Sequence, residues 1–191
     1  SDEQSLYRNK HLKDLVIGII GGTGAQGTGL AYRLAQAGFS VVIGSRDSAK
    51  ARSSAESLGD GITGTDNFSC ATQADLVIIA VPWDSHKETI TSIKSELSAK
   101  IVIDCVNPLV FDQGGAFSLP VPEGSALGQA QAILEQSQLV GAFNHVSAVL
   151  LADRSLDVMD IDVLVVGNEK SATDLVQTLV NEIKGMRGIY A

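Results

Sequence analysis

Residues Leu15 to Arg46 read LVIGIIGGTGAQGTGLAYRLAQAGFSVVIGSR. An apolar run, Val16 to Ile20, meets the glycine series Gly21, Gly22, Gly24 and Gly27. A helical pattern over Gln26–Ala37 follows, with Leu30, Ala31 and Leu34 on its inner face. Gly38 stops it, and a second apolar run, Val41–Gly44, ends in Ser45-Arg46. The order is strand, glycine turn, helix, strand, with G-x-G-x-x-G at the first turn. In that context the glycine pattern counts as a dinucleotide fingerprint. Gly22 and Gly24 leave no side chain between the backbone and a pyrophosphate. Gly27 lets the helix pack close to the strand, and the free N–H groups of the helix start point at the phosphates.

The end of the second strand selects the dinucleotide. An NAD site usually places Asp or Glu there to hold the ribose 2′-hydroxyl. This chain has Ser45 and Arg46 instead, with Lys50 and Arg52 just after. A guanidinium is always charged and grips a phosphate through two parallel N–H bonds. Ser45, Arg46 and Lys50 therefore point to a 2′-phosphate, that is, to NADP(H). The plain alternative is that Arg46 is a solvated surface charge.

Working outward, the chain has 191 residues and a formal net charge of −8. That length suits one domain with a sizeable core. The acidic balance argues against a nucleic-acid partner. It also means that an anionic dinucleotide must be held by local charge and oriented backbone N–H groups. No apolar run reaches membrane-spanning length, and the first residues carry no hydrophobic signal region, so the expectation is a cytoplasmic protein with no membrane partner. Cys70 and Cys105 form no metal or redox spacing and read as buried thiols. His11, His86 and His145 are scattered and give no zinc-type cluster, so no metal is expected.

Strands and helices alternate along the whole chain. Residues 1–14 read as a polar N-terminal extension, and residues 15–191 as an NADP-binding domain. Past Arg46, Asp47 or Ser48 caps a helix to about Leu58, Ile62–Thr65 is a weak strand, and Asp66 caps a short helix near Phe68–Thr72. Asp75–Val81 is a fully buried strand ended by Pro82. Ser85 and Glu88 have capping-box spacing before a helix to about Leu97. Ile101–Asp104 is the next buried strand. Residues 107–124 hold Pro108, Pro120, Pro122 and Gly114-Gly115, and read as a long irregular loop. Then come a helix (Ser125–Leu134), a strand (Leu139–Phe143), a helical turn (Ser147–Leu151), a strand (Asp162–Val166), a helix capped by Ser171 and running to about Ile183, and a last strand (Met186–Ala191). The class is α/β, a Rossmann-type doubly wound, mostly parallel sheet.

In such a sheet, ligands sit outside the carboxyl ends of the strands. The segments there are Gly21–Gly27, Ser45-Arg46, Val81-Pro82-Trp83, Cys105-Val106-Asn107-Pro108 and Asn144–Ser147, and they should converge on one cleft. Trp83, the only Trp, either flanks a cofactor ring or packs under the next helix. Asn107-Pro108 offers a rigid turn for the nicotinamide end. His145 either donates to a bound ring or carbonyl or is a satisfied structural histidine. No nucleophile–base pair is evident, so a cofactor would supply the reactive chemistry.

The motifs GGTGAQG, Ser45-Arg46 with Lys50, VPWDSH, DCVNPL and GAFNHVSA, in this order, resemble the NADPH:coenzyme F420 oxidoreductases, the deazaflavin-dependent NADP reductases. The resemblance spans about Val16 to Ala191 and is greatest to the bacterial members carrying VNPL and HVSA. It implies that Thr23, Gly24, Ala25 and Gln26 hold the pyrophosphate. Ser45, Arg46 and Lys50 then hold the 2′-phosphate, and Val81, Pro82, Val106, Asn107 and Ala142 border the nicotinamide. It implies direct hydride transfer between nicotinamide carbon 4 and deazaflavin carbon 5, with coenzyme F420 as co-substrate, His145 as the contact to the deazaflavin, and a homodimer. Members of the family continue into a C-terminal helical segment beyond the point that corresponds to Ala191. Related members tend to carry another His where this chain has Asn144. Arg8, Lys10 and Lys13 form a basic cluster that could receive an anionic deazaflavin tail. Two other readings stay open: the same domain serving a flavin or ferric-reductase-like acceptor, and a non-catalytic NADP-binding sensor.

Overall fold

The computed structural model describes residue 7 and residues 10–106, 109–112, 115–118 and 126–191. Its elements run β1 (Val16–Ile20), α1 (Ala25–Gln36), β2 (Ser40–Ser45), α2 (Ser48–Leu58), β3 (Ile62–Asp66), α3 (Asn67–Gln73), β4 (Leu76–Ile79), α4 (Trp83–Ser92) and β5 (Ile101–Asp104). They continue with β6 (Leu109–Asp112), β7 (Gly115–Ser118), α5 (Ala126–Ile133), β8 (Gln138–Gly141), α6 (Ala148–Ala152), β9 (Ile161–Gly167), α7 (Lys170–Asn181) and β10 (Met186–Tyr190).

One eight-stranded sheet has the order β10-β9-β8-β5-β4-β1-β2-β3. The six strands from β3 to β8 are mutually parallel. Their order is that of the doubly wound dinucleotide fold. β9 runs antiparallel to β8, and β10 pairs parallel with β9. The expected mostly parallel α/β sheet is thus the observed one.

The apolar runs of β1, β4 and β5 lack alternation because both sheet faces are covered. On one side Ile17, Ile19, Ile78 and Ile103 meet Leu30 and Leu34 of α1, Ala51 of α2, Leu151 of α6 and Val176 of α7. On the other, Val42, Val77, Ile79 and Val102 meet Cys70 of α3, Ile90 of α4 and Ala130 of α5. Cys70 and Cys105 are buried thiols, as expected. Burial pushes Cys70 up to about 12 and raises Cys105 as well.

Two caps match the sequence reading. The Asp47 carboxylate accepts from the N–H groups of Ala49 and Lys50, and the Asp66 carboxylate from that of Ser69.

Four local readings are corrected. The expected Ser85–Glu88 capping box does not form. α4 begins at Trp83 with Pro82 as its N-cap, and Ser85 Oγ donates to the Pro82 carbonyl at 3.2 Å. The fixed proline φ starts the helix directly behind β4. α4 ends at Ser92 rather than Leu97, where Thr91 and Ser92 hydroxyls back-bond to Lys87 and Thr89 carbonyls at 2.6 Å each. Such bonds compete with helix continuation. Ser171 does not cap α7, whose N-cap is Glu169 without a side-chain cap bond. The 107–124 stretch is not wholly irregular: Leu109–Asp112 pairs antiparallel with Gly115–Ser118.

The described residues of the 1–14 stretch, Tyr7 and 10–14, are tied to the amino-terminal edge of the sheet. The Tyr7 hydroxyl donates to the Asp75 carbonyl at 2.7 Å and accepts from the Ile101 N–H at 2.8 Å. Burial pushes that hydroxyl up to about 12. Lys10 pairs with Asp75 at 2.8 Å, and Lys13 with Glu182 at 3.2 Å while its ammonium also lies over the Phe39 ring. Lys10 and Lys13 are therefore committed at the sheet edge opposite the strand carboxyl ends, which removes them as receivers of a deazaflavin tail; Arg8 lies outside the described residues.

A buried arginine fixes the segment after β8. Arg33 of α1 donates to the carbonyls of Leu151 (3.0 Å), Leu156 (2.5 Å), Leu150 (3.1 Å) and Asp153 (2.7 Å). Gly29, one turn earlier, has no room for a Cβ because Leu151 Cβ would stand 2.6 Å away. Arg33→Met should keep the aliphatic packing but strip the Leu151 and Leu156 carbonyls of their donor, while those of Leu150 and Asp153 keep the N–H groups of Asp153 and Leu156. We expect a loss of about 3 kcal/mol, read as a lower urea midpoint at unchanged m-value.

Candidate functional site

The carboxyl ends of β1, β2, β4, β5 and β8 share one edge of the sheet, and the turns leaving them meet there. Gly21 has φ +73, a conformation that favours glycine. A Cβ on it would meet Val81 Cγ1 at 2.7 Å, so the first turn lies directly against the segment after β4. Gly22 donates to the Gly44 carbonyl at 2.9 Å, and its own Cβ would stand 2.6 Å from Ile43. Gly27 faces the turn itself: a Cβ there would meet Gly22 Cα at 2.7 Å and Gly21 O at 2.9 Å. Gly24 is different. Its Cβ would meet only Gly21 O, at 3.7 Å, and would otherwise project into open space.

Gly24 is also the N-cap of α1, and it provides no side-chain cap. Among the described residues no acceptor meets the N–H groups of Ala25 and Gln26. A bare, exposed helix start beside a glycine with space in front of it is a receptor for an anionic group. Thr23 is half-buried beside it.

Beyond β2, Ser45 is buried and its hydroxyl accepts from the Asp47 N–H at 3.1 Å. Arg46 and Lys50 are exposed, and among the described residues neither has an ion pair. The nearest carboxylate in sequence, Asp47, is turned into its own helix as the cap of α2. Arg46 and Lys50 are thus cations without a carboxylate partner among the described residues.

On the far side, Val81, Val106 and Ala142 are buried. Pro82 is exposed, and Trp83 is half-buried in the first turn of α4, its ring stacked on His86 with centroids 5.4 Å apart. Asn107 and Pro108 lie outside the described residues. Gln26 has a role that the sequence reading missed: its side-chain amide donates to the Phe143 carbonyl at 2.9 Å. This ties the start of α1 to the turn that carries His145. Phe143 itself is buried with φ 66, a left-handed residue that sends the chain sharply out of the strand. His145 is exposed and borders a cleft of about 300 Å³ with Phe143, Leu150, Met159, Ile161 and Leu164. It is therefore no satisfied core histidine.

Three further polar side chains were passed over. His86, Asp104 and Gln129 are buried together behind Val106. His86 Nε2 lies 2.7 Å from an Asp104 oxygen, and Gln129 Nε2 lies 2.9 Å from His86 Nδ1. The other Asp104 oxygen accepts from the Val106 N–H at 3.0 Å. The sequence held a signal for them, since an Asp inside IVIDC and a His four residues into a helix behind a buried strand are both costly to bury without partners.

Comparison with known proteins agrees with this geometry. Residues 16–108 match the family model described as NADP oxidoreductase coenzyme F420-dependent. The F420-dependent NADP reductase of Methanocaldococcus jannaschii is 37% identical over 185 residues, covering 91% of this chain and 82% of that protein. The chain belongs to the F420-dependent NADP reductase family. The reductase of Methanothermobacter marburgensis is 36% identical over 184 residues, with the same coverage of 91% and 82%. A crystal structure from Arthrobacter sp. FB24, provisionally assigned as an F420-dependent NADP-reductase, superposes with a TM-score of 0.77 at 27% identity, covering 92% of this chain and 84% of that one. The NADP(H) of this reductase family suits the donor set described above, since an uncapped helix start and unpaired cations fit phosphates. Among the described residues no group of His, Cys, Asp and Glu could hold a metal ion, and no helix is long and apolar enough to cross a membrane.

The two central glycines should separate experimentally. Gly27→Ala collides with backbone and should lower stability by about 1–3 kcal/mol. Gly24→Ala meets nothing in the protein and should leave the unfolding midpoint nearly unchanged. Because its methyl group fills the space before the helix N–H groups, NADP+ affinity should fall about tenfold or more. Urea titration and calorimetric binding on both variants check the contrast.

Proposed function

We propose that this protein transfers hydride between NADP(H) and coenzyme F420, with the dinucleotide lying across the carboxyl ends of β1, β2, β4, β5 and β8. The observation that carries this reading is the pairing of the bare α1 start at Gly24–Gln26 with the unpaired cations Arg46 and Lys50. In this reading the N–H groups around Thr23, Gly24, Ala25 and Gln26 take the pyrophosphate. Gly22 and Gly27 keep the turn thin. Ser45, Arg46 and Lys50 take the 2′-phosphate, Ser45 through its buried hydroxyl. Val81, Pro82, Trp83, Val106 and Ala142 border the nicotinamide. His145 stands at the rim of the neighbouring cleft, where it can touch the deazaflavin.

Hydride transfer of this kind passes directly between nicotinamide carbon 4 and deazaflavin carbon 5. The protein's part is to hold two flat rings face to face at reacting distance and to keep water out. Buried apolar walls at Val81, Val106 and Ala142 serve that need. No acid or base is required of the chain for the hydride step itself.

The same proposal places the protein in the cytoplasm as a homodimer. Two buried free thiols and the exposed apolar neighbours Leu164, Val166 and Ile189 on the outer strands support it. Light scattering should then read twice the chain mass of 20.0 kDa.

Anaerobic mixing with NADPH and oxidised coenzyme F420 tests the activity by loss of deazaflavin absorbance, with NADH and FMN as donor and acceptor controls. Bleaching with NADPH supports the assignment. Persistent absorbance, or equal rates with FMN, would overturn the choice of acceptor. Arg46→Ala should weaken NADPH by about 1.5–3 kcal/mol through loss of a charge-assisted phosphate pair, while NADH changes little. Equal losses for both would remove the 2′-phosphate assignment.

A further inference from the structure

Asp104 is the last residue of β5, and the backbone amides of Val106 and Ala142 both bond to it. Its carboxylate accepts the Val106 N–H at 3.0 Å, and its backbone carbonyl accepts the Ala142 N–H at 3.3 Å. The carboxylate is 1% exposed, so its orientation is set by protein partners alone. That partner is His86, fully buried, at 2.7 Å. His86 in turn is held on its other ring nitrogen by Gln129 of α5 at 2.9 Å. The Asp104 carboxylate can only accept, so His86 Nε2 donates the proton between them, and Gln129 meets the other ring nitrogen. Trp83 stacks on the same ring.

The chain thus joins four places. His86 belongs to the helix that starts with Trp83, Asp104 ends β5, and the Val106 amide leads into the stretch between β5 and α5. Gln129 sits in the helix that follows that stretch. An apolar trio of similar volume would pack the same space without desolvating a carboxylate, so stability alone does not account for these residues. What a fully satisfied polar chain adds is a unique geometry.

We infer that His86 is a positioning residue for hydride transfer: held by Gln129, it orients the Asp104 carboxylate and so fixes the Val106 backbone that walls the nicotinamide. The inference rests on the NADP(H) reading for its consequence in catalysis, but not for the internal geometry. Because His86 is buried behind the wall, it sets the placement of the ring and leaves the phosphate contacts at Gly24 and Arg46 untouched.

The test compares His86→Leu, which removes both ring nitrogens, with His86→Gln, whose side-chain amide can donate to Asp104 as Nε2 does. In His86→Leu, hydrogen exchange at the Val106 amide should accelerate about tenfold or more, and Trp83 emission should change. Single-turnover transfer from NADPH to coenzyme F420 should slow about ten- to a hundredfold, the scale of a misplacement near 1 Å. The NADP+ dissociation constant should stay within about threefold. His86→Gln should restore most of the protection and the rate. Unchanged Val106 exchange in a folded His86→Leu would overturn the inference. So would a loss confined to NADP+ affinity, or a His86→Gln variant no better than His86→Leu. If His86→Leu does not fold, Gln129→Leu takes its place, with Val106 exchange and the rate as readouts. If the unaltered protein fails to reduce coenzyme F420, the proposed activity falls, while the Val106 exchange still decides whether His86 holds this backbone.

Discussion

The closeness of α1 to the end of β1 is the constraint on which the rest depends. Gly22 and Gly27 stand against each other with no space for a Cβ on either. This contact lets the helix begin within a few residues of the strand and aims its first N–H groups over the sheet edge. It fixes where a phosphate can sit. It also fixes where the far side of α1 lands, because Gly29 and Arg33 follow rigidly from the same helix. Gly29 seats Leu151, and Arg33 ties down four carbonyls after β8. With Gln26 bonded to the Phe143 carbonyl, one helix spans the distance from the dinucleotide turn to the cleft beside His145.

An acidic protein that binds an anion has to solve its electrostatics locally. The net charge of −8 is spread over the surface, where solvent screens it. At the sheet edge the balance is reversed. The α1 start is uncapped, and Arg46 and Lys50 have no carboxylate partner among the described residues. Asp47, the carboxylate next to Arg46 in the chain, is drawn into capping α2. The side chain that stabilises this helix thereby does not pair with Arg46 or Lys50.

Much of the fold was legible because its signals are local. The unbroken apolar runs of β1, β4 and β5 announce strands covered on both faces, and Asp47 and Asp66 announce helix starts through short-range bonds. Where local signals competed, the reading failed. Ser85 and Glu88 have the spacing of a capping box, but Pro82 begins α4 earlier. Prolines and a glycine pair read as an irregular loop over 107–124, yet Leu109–Asp112 and Gly115–Ser118 pair antiparallel. Lys10 and Lys13 looked free in sequence and are committed to Asp75 and Glu182, partners 65 residues and more away.

The sequence by itself determined the glycine turn, the parallel α/β order, the cationic end of β2 and the family, because each depends on residues adjacent in the chain. Only the tertiary structure decided which of the polar groups act together. His86, Asp104 and Gln129 come from α4, β5 and α5, and Gln26 reaches Phe143 across the sheet edge. Such contacts leave no periodicity or spacing in the chain. They exist because burial removes water as a partner and obliges each polar group to find another in the fold.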